Sequence, residues 1–454
     1  MDTAPAPTSL RDAVPATLAQ PGALWFWLAV TLTGIGAGVA AIALTEVLTA
    51  LQHLLWPPPG NGPTNGASLL DAATQAGPAR HILVLLGAGL LTGLGQIVLK
   101  RLSSGNGIDI TAAIWFHAGR LPALRTLGSA VLSVVVVGMG ASLGREGAPK
   151  QAGAVIANAL CNLARLSDEQ RRLLVACGAG AGMAAAYGVP LGGALFALEV
   201  LRGVLALRLV LPALLASLLA TAVSWLVLPD APTYLIPAFP HLWSVDLWAL
   251  LAGPVAGVVS VLYVRAIAWA DRNKPTGWQR IVAPSLALGA LGAASIVFPQ
   301  LLGNGKDIAQ LAFAGEVAPL LMLALLLLKP LATFLCLGSG APGGLFTPSL
   351  ALGALLGGVL GHAWSLICPG APPGLFAVLG AAAVLAATTQ GPISAVVLMM
   401  ELTGRDRSFI VPMLLAVAAA TLVSRSIEPR SIYDARLSDA ELRDSLASRT
   451  PSPH

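Results

Sequence analysis

Gly144-Arg145-Glu146-Gly147-Ala148-Pro149 sets one carboxylate between glycines inside a long apolar sequence. An ionisable side chain at membrane depth is costly, so its presence there points to function. The flanking glycines let backbone amides approach whatever Glu146 meets, and Pro149 suits the first turn of a helix. A helix start offers unpaired N–H groups and a partial positive charge, which is chemistry for an anion. The Glu146 carboxylate can itself take the anion's place until protonation releases it, so one residue could gate an anion and carry a proton. The alternative is a structural glutamate paired with Arg145.

Other stretches answer one another along the chain. Gly105-Asn106-Gly107-Ile108-Asp109 returns 198 residues later as Gly303-Asn304-Gly305-Lys306-Asp307. Gly144–Pro149 is answered by Gly343-Gly344-Leu345-Phe346-Thr347-Pro348, with the prolines 199 residues apart. Gly178, Pro190 and Glu199 are answered by Gly380, Pro392 and Glu401, with equal internal spacings of 12 and 9 and an offset of 202. Three matches in one order define an internal repeat. Broken apolar segments at corresponding positions of two halves point to a transporter built from repeats, with its site at their interface. Each loop opens a helix: Asp109 or Thr111 can cap the first, Pro149 enters the first turn of the second, and Thr347-Pro348 opens the third. Several such starts converging make an anion site without a buried lysine, able to admit an ion and to release it.

The elements that position these loops must lie in a bilayer. The 454 residues are 56% hydrophobic and only 10% charged, with 49 glycines, and mean hydropathy is +0.79. Such a chain cannot coat itself with a water-soluble surface. Apolar spans of helical length recur without strand alternation, so the fold class is an all-α integral membrane protein. The pI near 9.3 comes from scattered basic residues with no aromatic-interleaved stripe, so nucleic acid is not a partner. Cys161, Cys177, Cys336 and Cys368 lack CxxC spacing and the six histidines form no ligand pair, so neither a disulfide framework, a metal nor a cofactor is expected.

Residues 1–22 form a polar tail without the features of a signal peptide. Leu24 to Trp56 form a first spanning stretch with tryptophans at its ends. Lys100, Arg101, Arg120 and Arg125 flank the second connection, whereas residues 56–80 carry little charge, which places the N-terminus in the cytoplasm. Beyond residue 123 the apolar segments are short and broken by glycine and proline, and 190–228 reads as one longer run. Breaks of this kind are tolerated only where the freed backbone is buried in protein or lines a cavity. The expected division is a first repeat over 23–228, a connection over 229–244, a second repeat over 245–429 and a C-terminal segment over 430–454. The glycine run Gly178–Gly182 has no strand before it and reads as close helix packing, not as a nucleotide loop. Residues 201–228 and 408–424 are candidate dimer surfaces or lipid-exposed faces.

These motifs together resemble the CLC family of chloride channels and proton–halide antiporters over residues 24–435. The family's anion-site motifs GSGIP, GREGP and GxFxP are matched by GNGID at 105–109, GREGA at 144–148 and Gly344-Leu345-Phe346-Thr347-Pro348, and its late tyrosine by Tyr433. The resemblance implies two inverted repeats of tilted and broken helices, in a homodimer with one pore per subunit. It implies Glu146 as the external gating glutamate. It also implies an anion site formed by Asn106, Gly107, Ile108, Gly147, Leu345, Phe346 and Tyr433, with backbone amides at Leu345 and Phe346. Read alone, Tyr433 is an interfacial anchor and Phe346 a packing residue. Asn106, Asp109 and Ala148 depart from the motifs, and similar changes occur in the fluoride-exporting branch. Val200 stands where the family's exchangers commonly carry an inner proton-transferring glutamate, while Glu199 matches that residue's neighbour and, with Glu401, suggests a structural pair.

The expected function is halide transport, of chloride or fluoride, in exchange for protons, in an inner (plasma) membrane with both termini cytoplasmic. The rivals are an uncoupled chloride channel and a membrane-embedded enzyme or scaffold. An enzyme would need a catalytic partner set that the scattered histidines and cysteines do not supply.

Overall fold

Proline and glycine set where the helices begin and end. The computed structural model describes residues 14–15, 20, 22–57, 68–102, 109–239, 242–405 and 409–437. The first half contains α1 (Ala23–Leu55), α2 (Leu69–Thr74), α3 (Pro78–Leu102), α4 (Ile110–Phe116), α5 (Ala123–Gly138), α6 (Gly147–Leu163), α7 (Asp168–Tyr187), α8 (Pro190–Leu195) and α9 (Leu207–Ser224). The second contains α10 (Trp243–Arg272), α11 (Gln279–Val297), α12 (Lys306–Ala314), α13 (Pro319–Gly338), α14 (Phe346–Ser365), α15 (Pro373–Thr389), α16 (Pro392–Thr403) and α17 (Ile410–Ile427). Among the described residues, eight helices are long and apolar enough to cross a membrane, and α5, α15 and α16 are shorter apolar helices.

The fold is all-α, in two inverted repeats. Apart from α2, the helices pair in order: α1 with α10, α3 with α11, and so on to α9 with α17. Reciprocal contacts carry the symmetry. The Glu199 carboxylate accepts the amides of Ile393 and Ser394 at 3.2 and 2.6 Å, at the start of α16. The Glu401 carboxylate accepts the amides of Leu191 and Gly192 at 2.9 and 2.6 Å, at the start of α8. Each repeat thus caps a helix of the other, the i-to-j, j-to-i pattern that a two-fold axis imposes.

Small residues let the helices approach. A Cβ on Gly153 of α6 would overlap the Gly178 carbonyl of α7, and one on Gly353 of α14 would meet the Gly380 carbonyl of α15 at 2.5 Å. Gly180 and Gly182 likewise lie against the carbonyls of Gly193 and Pro149. The glycine run is therefore packing surface, as its sequence context indicates. The apolar run 190–228 is not one segment. After α8 the chain winds into a π-helical turn, Phe196–Arg202, which stops at Gly203 with φ 67°, and α9 begins only at Leu207. A left-handed backbone conformation cannot continue a right-handed helix, and glycine adopts it without steric cost.

Candidate anion site

The two broken loops meet back to back. Gly144 and Gly344 form an isolated antiparallel bridge, each amide donating to the other's carbonyl at 2.7 Å. This bridge satisfies backbone groups that lipid would leave unpaired, and it places the starts of α6 and α14 side by side. Gly147 opens α6, and a Cβ there would stand 3.1 Å from the Gly344 nitrogen.

Glu146 is fully buried, and its carboxylate lies on the start of α14, not on its own helix. It accepts the Phe346 amide at 2.7 Å, the Tyr187 hydroxyl at 3.2 Å and the Thr347 hydroxyl at 3.3 Å. Tyr187 and Thr347 are themselves 2.8 Å apart. A Cβ on either Gly144 or Gly344 would overlap the carboxylate, so both glycines are required to make room for it. Arg145 is not its ion-pair partner: the guanidinium lies over the Tyr187 ring, 4.9 Å from its centroid. Leu345 and Phe346 are buried at the α14 start, and the Phe346 ring lies 6.1 Å from that of Tyr187.

Tyr433 reaches the same region from the C-terminal segment. It is buried and meets Phe196 edge-to-face at 5.7 Å. The segment is tied down on both sides of the tyrosine. The Ile432 amide donates to the Thr388 carbonyl at 2.7 Å, and Arg436 pairs with Asp271 at 3.2 Å and with Asp109 at 3.6 Å. Asp109 meanwhile caps α4 through the Thr111 amide at 2.9 Å, the role its position before the helix indicates. Asn106, Gly107 and Ile108 lie outside the described residues. The structure thus gathers Glu146, Gly147, Leu345, Phe346 and Tyr433 around the meeting of α6 and α14. Two residues that the sequence did not single out join them: Tyr187, the last residue of α7, and Lys150, one turn beyond Glu146 on α6 and also buried. Lys150 carried a signal, being a charge in an apolar helix. Tyr187 carried none.

A buried carboxylate on a helix start, where two inverted repeats meet between membrane-spanning helices, defines a transport protein of the broken-helix class. Residues 85–425 match the family model described as voltage gated chloride channel. The chain is 31% identical over 424 residues to the voltage-gated ClC-type chloride channel ClcB of Citrobacter koseri, covering 89% of this chain and 97% of that one. It is 31% identical over 417 residues to the ClcB of an Escherichia coli strain, with coverage of 89% and 97%. Among solved structures, a slow cyanobacterial Cl-/H+ antiporter aligns with TM-score 0.78 at 22% identity, over 93% of this chain and 98% of that one. A CLC-type fluoride/proton antiporter aligns with TM-score 0.70 at 23% identity, over 90% and 97%.

The chain belongs to the CLC, or voltage gated chloride channel, family. It is a multi-pass integral membrane protein whose family comprises channels and transporters, not enzymes.

Proposed function

We propose that this protein exchanges a halide for protons across the bacterial inner membrane, with Glu146 as its gate. The observation that carries the reading is the Glu146 carboxylate on the Phe346 amide at 2.7 Å, buried in the place an anion would take at the α14 start. An ionised carboxylate is a strong acceptor there, and protonation weakens the contact and frees the helix start for a halide. The amides of Gly147, Leu345 and Phe346 and the hydroxyl of Tyr433 then face the ion, with Asn106, Gly107 and Ile108 as the contribution of the first loop. Chloride and fluoride are both carried forward, because the names of the similar proteins include both ions.

The protein works as a homodimer through exposed apolar side chains of 201–228 and 408–424, among them Leu211, Leu414 and Leu422. Both termini face the cytoplasm, on the side of Lys100, Arg101, Arg120 and Arg125. The repeats occupy 23–228 and 245–429.

A second reading, an uncoupled chloride channel, is favoured by Val200. This buried residue lies against Gly391 and offers no carboxylate for an inner proton step. One experiment separates the two: purified protein in liposomes, with halide flux and internal pH recorded together. Exchange predicts that a chloride or fluoride gradient drives protons uphill. It also predicts that Glu146→Gln and Glu146→Ala abolish proton movement while halide flux persists. Proton coupling untouched by either substitution would sink the gate, halide flux with no proton movement would establish the channel, and fluoride excluded relative to chloride would remove the fluoride assignment.

A further inference from the structure

Lys150 stands four residues after Glu146 on α6, so the two side chains share a face of the helix. It is only 6% exposed. Its ammonium lies 4.6 Å from the centroid of the Tyr433 ring and 5.2 Å from that of Phe196. Among the described residues, no carboxylate, carbonyl or hydroxyl accepts a hydrogen bond from it. Lys329, also buried, is different. Its ammonium donates to the carbonyls of Gln300, Leu301, Leu302 and Gly303 at 3.2, 2.9, 3.2 and 2.9 Å.

Ring faces offset only part of the cost of taking an ammonium out of water, and the rest requires an acceptor. The charged groups that act on Lys150 are Glu146, Asp109 and Arg436. Glu146 is engaged at the α14 start, and Asp109 is engaged with the Thr111 amide and with Arg436. The Tyr433 hydroxyl, on the ring that Lys150 covers, is also buried and has no hydrogen-bond partner. Lys150 and the Tyr433 hydroxyl, on adjoining side chains, thus both lack a hydrogen-bond acceptor among the described residues. A small anion satisfies both, and a monatomic one accepts from any direction.

We propose that Lys150 belongs to the halide seat of this protein, supplying a full positive charge beside the Tyr433 hydroxyl and the backbone dipoles of the α14 start that the halide-transport reading already assigns to it. The proposal rests on the halide-transport reading. It adds that helix starts alone do not set the affinity: Lys150 holds the ion one turn along α6 from the carboxylate that competes with it. Removing that charge weakens halide binding more than removing the hydroxyl.

The test is calorimetric titration of chloride and of fluoride into the purified full-length protein, wild type against Lys150→Gln, Lys150→Arg and Tyr433→Phe, with halide efflux from liposomes measured in parallel. The expected result is a Kd weakened about tenfold or more in K150Q, a smaller weakening in Y433F, and a value near wild type in K150R. Bromide-soaked crystals of the wild type read the seat without any substitution and should give an anomalous peak beside the Lys150 ammonium. An unchanged Kd in K150Q, or a bromide peak confined to the α14 start, overturns the place of Lys150 in the seat while wild-type efflux leaves the transport reading standing. A wild type that neither binds nor moves halide overturns the transport reading itself.

Discussion

The loops before α6 and before α14 share a backbone plan and differ in chemistry. Both end in a helix whose third residue is proline, and they bond to each other symmetrically through Gly144 and Gly344. Yet Glu146 is answered by Leu345, and Lys150 by Ser349. The first repeat brings side-chain charge and the second brings a helix start to receive it. Glu199 and Glu401 behave oppositely: the carboxylate is kept in both halves, and each caps the other's helix. Retention in both halves fits a scaffold, and divergence between them fits the proposed site. A pseudo-two-fold axis gives two equal places, and transport of one ion needs them to be unequal.

The largest expected effect breaks the shared plan at its centre. Gly344→Ala, or its mirror Gly144→Ala, drives a Cβ into the Glu146 carboxylate. A hydrogen bond to a charged group contributes about 1.5–3 kcal/mol, so its loss shifts occupancy of the α14 start by about tenfold or more. Coupled proton flux in liposomes should fall accordingly while anion leak rises. Normal coupling in both variants would show that the carboxylate does not need that position.

Next comes Lys329→Met, which leaves the carbonyls at the α13 lysine without their shared donor. Losing the hydrogen bonds of a charged donor typically costs about 1.5–3 kcal/mol, read as earlier unfolding in denaturant titration of the detergent-solubilised protein. A variant as stable as wild type would make the second repeat's lysine dispensable.

Glu199→Ala and Glu401→Ala should each cost about 1.5–3 kcal/mol through lost capping of α16 and α8. Glu199 should cost somewhat more, because it also accepts the Ser394 hydroxyl at 2.6 Å. Neither should change the ratio of protons to halide in whatever transport remains. A selective loss of coupling in Glu199→Ala would break the rule that symmetric carboxylates are scaffold.

The smallest effect lies beyond the membrane helices. Arg430 first, and then Arg265, hold the Glu428 carboxyl below the usual carboxylate range, through contacts of 2.6 and 3.1 Å. A lowered folded-state pKa contributes stability above the unfolded value of about 4.3, and that contribution fades as pH falls through the lowered value. Glu428→Gln should therefore melt slightly below wild type at neutral pH, with the difference closing in acid. A gap that widens in acid would contradict the ion pairs.

Much of this site was legible in one dimension. Glu146 announced itself as a charge among glycines, Pro149 and Pro348 marked helix starts, and the repeat located their partners. The Glu199 and Glu401 pairing was readable because equal spacing implies equal structure. Tyr187 was invisible because a tyrosine at the end of the apolar α7 has no local sign of what its hydroxyl meets 41 residues away. Arg145 shows the opposite failure. Adjacency in sequence offered an ion pair with Glu146, but the guanidinium settled on the Tyr187 ring.

The sequence by itself determined a bilayer-spanning helical protein, its duplication, its loop positions and the charge at its centre, because composition, period and glycine–proline punctuation are local properties. Only the tertiary structure decided which helix start Glu146 occupies, that the loops are bridged through Gly144 and Gly344, and that Lys150 faces rings instead of an acceptor. Those outcomes depend on how the two halves dock, and the Phe346 amide that receives Glu146 lies 200 residues along the chain. At that separation only packing brings donor and acceptor together.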